Sequence, residues 1–190
     1  MLFRSQVSYC TFVAGSGAGT VHAPYHDTEY GFPNSDERVL FERLVLEINQ
    51  AGLSWETILK KRNGFQVAYD GFDPERVAAY GDKDRARLLA DAGIIRNRLK
   101  VEAAIHNAGV IVGMRKSHGG FANWIEERHP LKKEAWVKEF KRVFRFTGGE
   151  IVNEFLMSLG YLPGAHDEDC PVFAEIARLD PPWMRGVSSD

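Results

Sequence analysis

The sequence predicts an all-α protein. Apolar residues recur at helical spacing almost throughout, β-branched alternating runs are nearly missing, and cap residues, prolines and glycines punctuate the chain at helix-length intervals. Asn34, Ser35, Asp36 and Glu37 supply a cap and early acids for a helix running to about Ala51. Ser54, with Thr57 three residues on, starts a second helix that ends at the basic triplet Lys60, Lys61 and Arg62. Asp73, Pro74 and Glu75 put proline at a first helical position. Asp82 opens a helix to about Ala92, Gly93 breaks it, and a long amphipathic helix follows from about Arg96 to Gly113. Further helices are expected over Phe121 to Glu127, Lys133 to Arg142 and Glu150 to Leu159, the last closed by Gly160. After Cys170, the pair Pro181 and Pro182 and the ending Gly186, Val187, Ser188, Ser189 predict an extended or mobile tail. No repeat at a solenoid period and no low-complexity linker divides the chain, so residues 1–190 are expected to form one domain.

Composition narrows the function classes. A chain of 190 residues, 44% hydrophobic and 26% charged, is long enough to bury a sizeable core. Two cysteines make no disulfide framework, which points to a reducing, cytoplasmic setting. Arg4 followed by Val7 to Ala14 imitates a signal peptide, but Ser8, Tyr9 and Thr11 interrupt the apolar run. No stretch approaches the roughly 20 apolar residues of a membrane span. Net charge is only −2, so contact with nucleic acid would have to come from local patches such as Lys60 to Arg62, Arg96 to Lys100, Lys132 with Lys133, and Lys141 with Arg142. Such clusters also serve as solvated helix faces.

Cys10 pairs with His26 near one end of the chain, and His166 with Cys170 near the other. Two thiolates and two imidazoles satisfy a zinc tetrahedron with no position left for water, so this set would be structural and would staple the termini together. Two reduced thiols and two unrelated surface histidines fit the same spacing. The 16-residue gap from Cys10 to His26 calls for a loop, which the Gly-rich stretch Gly15 to Thr20 can provide.

The first long helix carries an unusual acid. At 100° per residue, Leu40, Leu44, Glu47 and Ala51 fall in one stripe, which places the Glu47 carboxylate on an apolar face. Buried acids of this kind concentrate at functional sites, although a glutamate receiving backbone N–H groups of the next loop fits the pattern too. Directly after it, Gln50, Ala51, Gly52, Leu53, Ser54 and Trp55 place small residues, a protruding leucine and an indole between two helices. An aromatic face beside a carboxylate suits a nucleobase, through stacking and attraction to a cationic ring. Tyr25 and Tyr30 flank His26 and join the same region or the core. Leu89 to Ala103, with Gly93, Ile94 and Ile95 at its centre, reads as helix, tight glycine turn, helix; Arg96, Arg98 and Lys100 would strengthen an anion site at the second N-terminus, and an ordinary helical hairpin with a solvated basic end is the alternative.

Together these residues resemble the DNA-3-methyladenine glycosylase I family of the helix-hairpin-helix superfamily. The resemblance runs from Cys10 through Tyr25-His26-Asp27, Leu46-Glu47, Gln50 to Trp55, Phe72-Asp73-Pro74 and Asp91 to Arg96, and ends at His166 and Cys170. It implies a helical glycosylase-like domain with its helix-hairpin-helix motif at residues 88–105, and Zn²⁺ held by Cys10, His26, His166 and Cys170. It implies Glu47 as the catalytic residue, lining with Tyr25 and Trp55 the pocket for a flipped base. Gly52 and Leu53 would face the gap left in the duplex, and Gly93, Ile94, Ile95, Arg96, Arg98 and Lys100 would hold the backbone. Three positions depart from the usual family pattern: Ile48 after the glutamate, Tyr30, and Phe12 near the first cysteine. These would reshape the pocket, Ile48 most of all, since it lies about 100° around the helix from Glu47. The implied activity is monofunctional hydrolysis of the N-glycosidic bond of 3-methyladenine in double-stranded DNA by a monomer. A non-catalytic lesion binder with a filled pocket and a zinc hydrolase with an open metal position are the other two classes considered.

Overall fold

Eleven α-helices and two short 3-10 turns account for the regular structure of the computed structural model, which describes residues 7–15 and 19–186; no strand occurs among them. Arg4, the centre of the Gly15 to Thr20 stretch, and the ending Val187-Ser188-Ser189 lie outside the described residues. The helices are α1 (Tyr9–Ala14), α2 (His22–Thr28), α3 (Glu37–Gln50), α4 (Trp55–Ala68), α5 (Pro74–Ala78), α6 (Asp82–Ala90), α7 (Arg98–His118), α8 (Phe121–Glu126), α9 (Lys133–Val143), α10 (Gly149–Ser158) and α11 (Pro171–Ala177).

The hub is α3. Asp36 caps it, its Oδ1 accepting from the Arg38 and Val39 amides at 2.9 and 3.2 Å. The helix packs against α4, α5, α7, α8 and α10. Every residue from Leu40 to Asn49 is buried, including Glu42, Arg43 and Glu47. The one-sided apolar stripe expected from the sequence is therefore corrected: a central helix has no solvent face, and Ala51, assigned to that stripe, is exposed.

The basic triplet does not end α4. Phe65 and Ala68 are buried farther along, and the charge of Arg62 is absorbed by two acids. Its Nε and Nη2 donate to Glu42 at 2.8 and 3.0 Å, and Nη1 and Nη2 donate to Glu29 at 2.6 and 2.8 Å. Burial works against the Glu29 carboxylate, yet Arg62 and Arg43 hold it below the usual range. Arg62→Ala takes the only ion-pair partner found for the buried Glu42 among the described residues, leaving it the Gln66 amide, and is expected to destabilise the protein by about 3 kcal/mol, roughly 6–12 °C in Tm, read by thermal melting.

Helix α7 starts at Arg98 rather than Arg96 and outruns the expected stop at Gly113. A Cβ on Gly109 or Gly113 would meet nothing within 4 Å, so both glycines sit on an open face, and Met114 beyond them is buried. Gly119, at φ 75°, ends the helix. Cys10 lies on α1 and His26 on α2, and the Gly15 to Thr20 stretch falls between these helices. One further expectation is corrected near the C-terminus. The segment after Cys170 folds into α11 and the 3-10 turn Pro182–Met184, which is tied back by the Trp183 amide donating to the Gly160 carbonyl at 3.0 Å.

Candidate active site and metal centre

A cavity of about 720 Å³ opens where the α3–α4 turn meets the N-terminus of α10. That volume suits a small-molecule or base-sized ligand. Glu47, Gln50, Gly52, Leu53 and Trp55 line one side, Gly148, Gly149, Ile151 and Glu154 the other, and Phe12 and His22 close the end. Gly52, at φ 85°, makes the turn possible, because only glycine takes that conformation without strain. The turn leaves Leu53 protruding, 42% exposed.

Glu47 is 4% exposed, and no described residue gives it a hydrogen bond or ion pair. Burial, helped by the neighbouring Glu154 carboxylate, pushes it up to about 8 against an ordinary value of 4.5, with Arg43 opposing. Two buried donors stand close by without partners among the described residues: the Tyr25 hydroxyl and the Trp55 indole N–H. Their rings lie 5.1 Å apart. Buried polar atoms left unpaired are uncommon in a folded protein, and these two are free to bond a ligand.

The other sequence-selected residues divide. Phe12 and Trp55 line the cavity. Tyr30 sits behind it, its hydroxyl donating to Glu154 Oε2 at 3.0 Å. Ile48, expected to fill the space of a base, is 1% exposed in the apolar core and does not line the cavity. The lining residues that escaped the sequence reading include Glu154 and His22. Glu154 carries the same signal as Glu47, an acid among apolar residues, here Ile151, Val152, Phe155 and Leu156.

The metal-ligand set converges. The ligand atoms of Cys10, His26, His166 and Cys170 all lie within 4.8 Å of one another. His166 Nδ1 is 3.5 Å from Cys10 Sγ and 3.7 Å from Cys170 Sγ, and His26 Nε2 is 3.9 Å from Cys170 Sγ. Zinc–sulfur and zinc–nitrogen bonds of about 2.3 and 2.0 Å at a tetrahedral angle put nitrogen and sulfur about 3.5 Å apart, so the set fits. The far ring nitrogens are already occupied: His26 Nδ1 is 2.7 Å from Asp27 Oδ1, and His166 Nε2 is 2.7 Å from the Tyr30 carbonyl. Those bonds turn His26 Nε2 and His166 Nδ1 toward the sulfurs. Burial pushes the Cys10 thiol up, so its thiolate calls for a cation.

Between α6 and α7, residues 91–97 form a tight connection. Asp91 Oδ1 accepts from the Gly93 amide at 2.6 Å, and Asn97 caps α7 through the Lys100 amide at 3.2 Å. Gly64 of α4 packs against this turn so closely that a Cβ would lie 2.5 Å from the Gly93 carbonyl oxygen. Ile94 is buried and Ile95 half-buried, whereas Arg96 and Arg98 are exposed. Lys100 departs from its expected role on a phosphate backbone. Its ammonium is buried and donates to the Asn49 and Ala51 carbonyls at 2.9 and 2.8 Å, tying down the end of α3.

A model of the methyladenine glycosylase family matches residues 17–142, about two thirds of the chain. The chain belongs to that family. DNA-3-methyladenine glycosylase 1 of Escherichia coli is 44% identical over 159 residues, 74% of this chain and 85% of the relative. DNA-3-methyladenine glycosylase of Haemophilus influenzae is 36% identical over 174 residues, covering 82% and 94%. Among solved structures, a point variant of 3-methyladenine DNA glycosylase I in complex with 3-methyladenine superposes with a TM-score of 0.75 at 30% identity, over 85% of this chain and 97% of that one. The family match stops short of His166 and Cys170 and starts after Cys10, so the metal-ligand geometry stands as a separate observation.

Proposed function

We propose that the cavity is the base pocket of a monofunctional DNA glycosylase that releases 3-methyladenine from double-stranded DNA. The observation that carries this reading is Glu47, a buried carboxylate with no hydrogen-bond partner among the described residues, lining with Trp55 a cavity large enough for a purine. Relatives at 36–44% identity bear the name of that activity.

Alkylation at N3 makes adenine cationic and therefore a good leaving group. The bond from C1′ to N9 breaks, its electron pair passes to the purine, and water adds at C1′ with loss of a proton, leaving neutral 3-methyladenine and an abasic sugar. The protein's part is to extract the base, hold it and favour its positive charge. The damaged nucleotide unstacks cheaply, and its base enters the pocket to stack on Trp55. The Tyr25 hydroxyl and Glu47 meet its edge, and Leu53 occupies the vacated place in the duplex.

Residues 88–105 act as the helix-hairpin-helix motif, with Gly93, Ile94 and Ile95 approaching the backbone and Arg96 and Arg98 facing phosphates. Arg98→Ala is expected to lower the slope of log affinity against log salt by about 1, while Lys100→Ala leaves the slope unchanged and lowers Tm. Zn²⁺ bound by Cys10, His26, His166 and Cys170 is structural, since four protein donors complete the tetrahedron. No helix among the described residues is long and apolar enough to cross a membrane, and a cytoplasmic monomer is the proposed working form. Incubation with methylated duplex DNA tests the function: release of free 3-methyladenine is expected, and its absence from well-folded protein would overturn the reading.

A further inference from the structure

A strained aromatic residue stands beside the cavity, and the mechanism above does not use it. Phe146 lies in the connection from α9 to α10, shortly before Gly148 in the cavity wall, and is 40% exposed. Its backbone is left-handed, at φ 61°, a conformation that a bulky residue keeps only where its surroundings impose it. Both neighbours impose it here. The buried Asn107 side chain of α7 grips Arg145 twice, Nδ2 donating to its carbonyl at 3.1 Å and Oδ1 accepting from its amide at 2.8 Å, and Thr147 on the other side is buried. The strained backbone thus turns an apolar ring toward solvent rather than into the core. The Lys100 ammonium, in the first turn of α7, lies 5.9 Å from the centre of that ring and donates to the carbonyl of Ala51, the residue before Gly52 and Leu53. The ring therefore stands near the protruding Leu53 turn, the start of α7 and the cavity wall together. Cations in this neighbourhood are uncommitted: Arg96, Arg98 and Arg145 are exposed, and their guanidinium groups make no hydrogen bond or ion pair among the described residues. Arg38, Arg85, Arg115 and Arg142, by contrast, are paired with acids. An exposed ring accompanied by unpaired arginines suits a surface that meets bases and phosphates.

We propose that Phe146 is a second DNA wedge, which stacks on a base next to the position that the damaged nucleotide vacates, while Leu53 fills that position itself. This rests on the glycosylase reading for the duplex and assigns a role to a residue which that reading leaves idle. Extrusion of a nucleotide deprives its neighbours of a stacking partner. An aromatic face already held in place by Asn107 and Thr147 supplies one with little loss of conformational freedom on binding.

The test uses a duplex with a tetrahydrofuran abasic site and 5-iododeoxyuridine on either side of it or opposite it, since that base photocrosslinks to an aromatic ring stacked on it. A crosslink in the peptide that carries Phe146 is expected at one of these positions. Phe146→Asn, whose side chain tolerates left-handed backbone, is expected to bind the abasic duplex about 10- to 100-fold more weakly with the salt slope unchanged. Phe146→Tyr, which keeps the ring, is expected to retain most of the affinity, and Phe146→Leu replaces Asn if circular dichroism shows a disturbed fold. A ring that merely shields the Lys100 ammonium would lower Tm on replacement and give no crosslink. Crosslinks confined to other peptides, an unchanged affinity in Phe146→Asn, an equal loss in Phe146→Tyr, or no binding of the duplex by the wild type overturns the inference. Base release measured on the same wild-type sample separates the two readings. Protein that releases 3-methyladenine without a Phe146 crosslink fails the inference only, and protein with Phe146-dependent duplex binding and the crosslink that releases no base fails as a glycosylase only.

Discussion

Replacing Glu47 by glutamine is expected to lower base release at least 100-fold while making the protein more stable above neutral pH. Both effects follow from one buried group. The folded protein raises Glu47 to about 8 from 4.5, so the folded state holds its proton more tightly than the unfolded chain does. The stability associated with that proton is complete below about pH 4.5 and is lost as pH rises through about 8. Glutamine cannot lose a proton, so the variant escapes this decline. The rise from 4.5 to about 8 corresponds to at most about 5 kcal/mol, on the order of 10–20 °C in Tm for a chain of this size. The difference should shrink toward pH 4.5. A variant that loses activity and stability together at pH 8 would show that Glu47 holds the fold rather than the substrate.

Removing the metal is expected to be the most damaging single change to stability. Cys10 lies on α1, His26 on α2, and His166 and Cys170 just ahead of α11, so the four ligands join three segments. Structural zinc contributes about 10 kcal/mol or more in small domains that depend on it entirely. Here α3 to α10 have a core of their own, and a loss of several kcal/mol is expected. Purified protein should contain one zinc per chain. Chelation or Cys170→Ser should lower Tm by more than about 10 °C, with release of one equivalent of metal. Tyr25 immediately precedes the ligand His26 on α2, and Phe12 on the helix of Cys10 lines the cavity, so base release should fall with the metal. Metal-free protein with unchanged melting and protease resistance would show the cluster to be incidental.

The sequence announced those parts of the protein whose chemistry is local. Caps at Asp36, Ser54 and Asp73 are what they promised, because a cap depends on a few adjacent residues. The turn at Gly52 and Leu53 and the convergence of Cys10, His26, His166 and Cys170 were also visible, the latter because zinc chemistry limits which residues can meet. What stayed hidden depends on packing at long range. Lys100 looked like a phosphate contact in a basic run, and only the folded chain shows the Asn49 and Ala51 carbonyls waiting for it. Ile48 looked like an obstruction because an isolated helix has no neighbours to bury it against. Arg62 read as a helix stop since its partners Glu29 and Glu42 lie on other elements. Glu154 passed unremarked although its pattern matched that of Glu47, since only the folded chain brings α10 to the same cavity.

The dependence of kcat/KM on pH between 6 and 9 tests the central claim most directly, since the alkylated nucleoside is a fixed cation and does not itself titrate. If the ionised Glu47 draws that cation into the pocket, kcat/KM rises with pH to a plateau with its midpoint near 8, and Glu47→Gln gives a low, flat profile. A wild-type profile that is level across this range, or a Glu47→Gln profile that still rises through pH 8, would contradict it.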